Sequence, residues 1–95
     1  MPTDKPPITV IDHALINRVL SANPRVRRLN LSYNAIDTIA EKDYNNGSLH
    51  RTDVFEFIGL RLNYLNLSYN KLQILSPSFS YLVALQILDL SHNNL

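Results

Sequence analysis

The sequence predicts an α/β architecture in which coils of chain stack side by side, with a short parallel β-sheet on one side and short helices or turns on the other. A helical cap is expected at the N-terminal end. Three observations predict this. The phrases "RVRRLNLSYNAI" (25–36), "RLNYLNLSYNKL" (61–72) and "ALQILDLSHNNL" (84–95) are near copies of one another. Each copy places an asparagine at the same offset, Asn34, Asn70 and Asn93. Ahead of the first copy, Ile11, Leu15 and Val19, with Ile8 and Leu20 beside them, recur at helical spacing. A repeated unit that cannot bury its apolar face alone buries it against the next unit.

Taken in order, residues 1–7 form a polar, proline-rich leader that has nothing to bury and is expected to fray. Residues 8–24 form the cap. Thr9 followed by Asp12 resembles a capping signal, which sets the helix from about Thr9 to Ser21, and Asn23-Pro24 ends it. Residues 25–95 form the repeats. Alternation along a strand turns Leu29 and Leu31 inward while Asn30 and Ser32 face out, and the same holds for Leu65/Leu67 and Leu88/Leu90. Val26, Leu62 and Leu85 precede these pairs; Ile36, Leu72 and Leu95 follow them.

The asparagines stand where the chain leaves each strand. An amide there can satisfy turn backbone groups that leucine cannot, so Asn34, Asn70 and Asn93 are expected to form a buried structural ladder. Residues 41–53 are polar, contain an Asn46-Gly47 turn signal, and lengthen one coil as an insertion. Residues 54–60 should then resume as a short helix with Phe57 and Leu60 on the back wall. Leu75, Phe79 and Leu82 should build that wall in the next coil, where Pro77 discourages a long helix.

Written as L-x-x-L-x-L-x-x-N-x-L, the three aligned phrases resemble the leucine-rich repeat family, and the resemblance spans residues 26–95. Residues 36–53 depart from the family spacing. The resemblance implies a curved solenoid whose concave sheet face binds a partner protein. The style of the last coil looks like that of cytoplasmic repeat proteins that scaffold signalling or cell-polarity complexes. The third phrase finishes at Leu95, which suggests an N-terminal fragment of a longer solenoid with only a structural capping role, or self-association through Leu88, Leu90 and Leu95 at the uncapped end.

Composition narrows the function. Ninety-five residues make one small domain, and a net charge of +1 provides no global field toward nucleic acid or membrane. The sequence has no cysteine, so thiolate metal sites and disulfides are excluded. No secretory signal or membrane-length apolar run is present, and a cytoplasmic or nuclear location is the expectation. Neither of the two glycines opens a phosphate loop, and His13, His50 and His92 lack metal-ligand spacing. Ser32, Ser68 and Ser91 share one repeat offset, as structural serines would. Asn30, Asn46 and Asn66 begin formal glycosylation sequons, two of them inside strands. No enzyme, metal or cofactor is expected.

The sheet face is therefore the candidate site. Its columns are Arg28, Tyr64 and Ile87; Asn30, Asn66 and Asp89; Ser32, Ser68 and Ser91; and Tyr33, Tyr69 and His92. Coils about 4.8 Å apart would bring these side chains into register. Aromatic residues with polar tips suit a protein partner, although the tyrosines could instead pack on one another over the sheet edge. Arg25, Arg27 and Arg28 make a basic cluster near the capped end, which Arg51 and Arg61 could join, although three arginines are usually a solvated strand edge. They and the tyrosines keep a second reading open, an RNA-binding or RNA-export role, but nucleic acid would call for a wider basic stripe.

Overall fold

The computed structural model describes residues 6–40 and 53–95. Apart from Asp53, the expected insertion, with Asn46, His50 and Arg51, lies outside the described residues. Element order is β1 (Val10–Ile11), α1 (His13–Ala22), β2 (Arg28–Asn30), β3 (Thr38–Ile39), β4 (Tyr64–Asn66) and β5 (Ile87–Asp89), with 3-10 turns at Ile58–Leu60 and Pro77–Tyr81. Strands β2, β4 and β5 form an open parallel sheet in chain order. This is an α/β arrangement with a parallel sheet.

The start of the chain departs from expectation. Ile8, Thr9, Val10 and Ile11 are consecutive β-branched residues, which lose side-chain freedom in a helix and pack readily on a strand. They run extended, and β1 pairs in parallel with β3, Val10 opposite Thr38 and Ile11 opposite Ile39. The helix begins one turn later than Thr9 implied. Its N-cap is Asp12, whose carboxylate accepts the Leu15 N–H at 2.9 Å. It ends at Ala22, and the Asn23 N–H closes it on the Val19 carbonyl. Leu15 and Ile16 enter the core; Val19 and Leu20 lie half-buried against it.

Register carries the repeat across the sheet. Arg28, Tyr64 and Ile87 are neighbours, as are Leu29, Leu65 and Leu88, and Asn30, Asn66 and Asp89. Backbone pairing continues past the strands, from Leu31 N–H to the Asn66 carbonyl and from Tyr33 N–H to the Ser68 carbonyl. Leu62, Leu65 and Leu67 of the middle repeat are fully buried. The leucine pairs of the outer strands are covered less well: Leu29 and Leu90 are half-buried, and Leu88 on edge strand β5 is 39 % exposed. A single core cluster runs from Ile11 and Leu15 through Leu31 and Ile36 to Leu65, Leu67 and Leu82.

The back wall is phased differently from the expectation. Val54, Phe55 and Ile58 are buried, whereas Phe57 and Leu60 are 65 % and 67 % exposed. The segment is a series of turns ending in a 3-10 turn, so the 3.6-residue period does not select its inner face. In the next repeat Leu82 is buried and Phe79 half-buried, its ring 5.7 Å from that of Phe55, but Leu75 is exposed. Ser76 caps the 3-10 turn that follows, its hydroxyl accepting the Ser78 N–H at 3.1 Å.

Two further contacts bind the walls of adjacent repeats. Buried Asp53 accepts the Phe55 N–H at 3.0 Å with one oxygen and the Ser78 hydroxyl at 2.8 Å with the other. Gly59 faces the next repeat so closely that a β-carbon would stand 1.9 Å from the Tyr81 carbonyl oxygen. Its own carbonyl accepts the Ala84 N–H at 3.1 Å.

Candidate functional site

The asparagines at the shared offset sit just beyond the strands. Asn70 is buried, its Oδ1 accepting the Ile36 N–H at 3.0 Å and its Nδ2 donating to the carbonyls of Leu31, Leu67 and Ser68. Asn93 repeats this one strand on, accepting from Leu72 and donating to Leu67, Leu90 and Ser91, but it is half-buried. Asn34, also half-buried, accepts the Ile8 N–H at 3.0 Å and so ties the N-terminal segment to the first repeat. Burial thus falls off from Asn70 toward both ends.

The polar column of the sheet is internally bonded. Asn30 Oδ1 accepts the Ser32 N–H at 2.9 Å and its hydroxyl at 2.6 Å, with the same geometry at Asn66/Ser68. Asp89 and Ser91 form the charged version at 3.0 and 2.6 Å. These bonds from Ser91, hydroxyl first and backbone second, hold the exposed Asp89 carboxyl below the usual aspartate range. The serine hydroxyls therefore brace the residues two positions earlier, while the serine carbonyls accept from the asparagines at 34, 70 and 93.

Tyr33, Tyr69 and His92 are displaced from the strands. Each follows the sheet by three residues and has a left-handed backbone, with φ of 58°, 57° and 56°. Bulky residues rarely accept that conformation. The consequence is a column of parallel rings: Tyr33 on Tyr69 at 4.3 Å and 8°, Tyr69 on His92 at 4.1 Å and 11°. Both faces of Tyr69 are covered by its neighbours, so a planar ligand meets only the outer faces of the column. Tyr33 is 73 % exposed; its contact with the Tyr69 hydroxyl, then desolvation, raises its phenol above the usual value.

The strands themselves display Arg28, Tyr64 and Ile87. The Arg28 guanidinium lies 4.3 Å above the Tyr64 ring, a cation–π contact that fixes both side chains. Ile87, next in the row, is 53 % exposed. Together they make a surface with a basic end, an aromatic centre and an aliphatic end. Beside it, Arg25, Arg27 and Arg61 line an open depression with Pro24 and Leu60, and Arg61 Nη1 donates to the Pro24 carbonyl. The pairing of Arg61 with the first repeat was not legible before the register was known.

Among the described residues, no group of three or more His, Asp or Glu is placed to hold a metal ion, and no helix is long and apolar enough to cross a membrane. Two leucine rich repeat family models match the chain, one over residues 43–95 and the other over residues 22–39. No curated protein and no solved structure matches it. Leucine-rich repeat domains generally mediate protein–protein interaction and are typically non-enzymatic. With more than half of its length matched and the aligned strands forming one parallel sheet, this chain belongs to the leucine-rich repeat family.

Proposed function

We propose that the chain is a protein-interaction module, a short leucine-rich-repeat solenoid that takes a partner protein on the face of its parallel sheet. One observation carries the reading: an exposed isoleucine, Ile87, continues a row in which Arg28 is fixed on Tyr64. Such a row combines apolar area, a preordered aromatic and a guanidinium, the residue chemistry on which interfaces depend. Asn66 and Asp89 add a polar border held in place by their serines. The style of the repeats supports a scaffolding role in signalling or cell-polarity assemblies.

RNA binding is less well supported. Stacked bases need open aromatic faces, and the closest aromatic column already uses those faces on itself.

The test is quantitative capture with three chains: wild type, Ile87→Asp, and Val83→Asp, which alters an exposed apolar residue off the sheet. A partner retained by wild type and Val83→Asp but lost by Ile87→Asp supports the sheet face. Loss with Val83→Asp alone would overturn it.

A further inference from the structure

We infer that the depression between the first two repeats is a phosphate-binding notch, formed by Arg25, Arg27 and Arg61, that takes a phosphorylated serine or threonine of the partner protein. The local fold builds it from the chain up. Val26 is buried, while Arg25, in the turn that follows α1, and Arg27, in the lead-in to β2, are both exposed. Their backbone is fixed. Asn23 accepts the N–H groups of Arg25 and Val26, and the Arg27 carbonyl accepts those of Asn63 and Tyr64 from the second repeat.

Arg61 of the adjoining repeat enters the same depression. Arg61 is held there by its bond to the Pro24 carbonyl. Arg25, Arg27 and Arg61 thus line one open space of about 580 Å³, whose remaining lining is Pro24 and Leu60. No carboxylate lines it among the described residues, and neither Arg25 nor Arg27 has an ion-pair partner among them.

Charge selects the occupant. Three clustered cations repel one another, and a phosphate monoester offsets this with roughly −1.5 to −2 charge and three acceptor oxygens. A carboxylate supplies a single charge and two oxygens. Planar guanidinium forks match tetrahedral phosphate oxygens in a way that point-charge ammonium groups do not. Leu60, 67 % exposed, and Pro24 give the flanking peptide an apolar floor. Arg28 begins the sheet-face row one residue after Arg27, so a protein lying on that face reaches the notch. Only the source of the phosphate rests on the protein-binding reading.

The experiment follows the arginine side-chain N–H signals of the whole chain by NMR during titration with a short glycine-flanked phosphoserine peptide. Parallel titrations use the unphosphorylated peptide, inorganic phosphate and a single-stranded RNA oligomer at matched ionic strength. The expected result is saturable shifts of Arg25, Arg27 and Arg61, with affinity at least about tenfold above that of the unphosphorylated peptide. Arg25→Ala/Arg27→Ala, both exposed positions, should lose that preference and keep the wild-type melting temperature.

Equal affinity for the two peptides, tighter binding of the RNA, or an unchanged preference in the double variant would overturn the assignment. So would inorganic phosphate binding as tightly as the phosphopeptide, which leaves an anion site with no peptide partner. The probe is too short to need the sheet face, so its result is independent of the Ile87→Asp capture.

Discussion

The side-chain amide of Asn70 donates to the Leu31 carbonyl at 3.0 Å, reaching from the second repeat into the backbone of the first. The same side chain accepts the Ile36 N–H and donates to its own repeat at Leu67 and Ser68. One residue therefore closes its own turn and joins two coils.

Asn70→Ala leaves the buried Ile36 N–H without its partner and takes one of two donors from the Leu31 carbonyl, which keeps Asn34 Nδ2 at 3.1 Å. The expected cost is about 1–3 kcal/mol, read as a lower urea midpoint. Asn93→Ala should cost less, because water reaches the half-buried groups that Asn93 serves. Equal losses at the two sites would show that burial does not set the value of this contact.

Gly59→Ala tests the close approach of the two walls. The added carbon would meet the Tyr81 carbonyl, which is backbone and itself fixed in a 3-10 turn, so the two repeats must move apart. A loss of about 1–3 kcal/mol is expected, as for other overpacked sites. Val83→Ala, at an exposed position, is the control and should melt with wild type. If Gly59→Ala also melted with wild type, the contact would not constrain the spacing.

The sheet was legible because its signal is an offset repeated with its neighbours, and a parallel sheet converts offset directly into register: Leu29, Leu65 and Leu88 share a row in sequence and in space. Elements without a fixed period were not. Phe55 rather than Phe57 faces inward because the wall is made of turns. Helix onset at His13 depended on four β-branched residues outweighing a capping signal at Thr9. At the site, identities could be listed in columns, but nothing in the letters of Tyr33 or Tyr69 announces a left-handed backbone, which glycine usually marks. Asp53 read as the end of a polar insertion; its partner Ser78 lies in another repeat.

Asp89 carries the pH prediction. Ser91 lowers its folded-state pKa, so the stability this carboxylate contributes is present above its unfolded value, about pH 4, and is lost as the pH falls through the folded value. Ser91→Ala removes the hydroxyl bond, the larger cause. Carboxyl NMR should then show Asp89 titrating at higher pH than in wild type, with the acid unfolding limb moved the same way. Ser68→Ala, which alters the uncharged Asn66 pair, should leave the Asp89 titration in place. Coincident titration curves for Ser91→Ala and wild type would exclude the hydroxyl as the cause.

Tyr69 separates ring stacking from backbone strain. Its ring is covered on one face by Tyr33 and on the other by His92, and losing both contacts in Tyr69→Ala should cost about 1–3 kcal/mol. Its φ of 57° carries a second cost, roughly 1–2 kcal/mol for any residue with a β-carbon. Glycine removes the ring and relieves the backbone together. Tyr69→Gly should therefore be more stable than Tyr69→Ala, the reverse of the usual order, in which glycine is the worse by about 0.5–1 kcal/mol. Thermal melting of the two variants decides it. The inverted order means that the strained turn persists without the rings, held by the Tyr69 N–H bond to the Ser91 carbonyl and the Asn70 amide; the usual order would mean that the turn adopts another conformation once the rings are gone, and that the column forms the turn rather than merely decorating it.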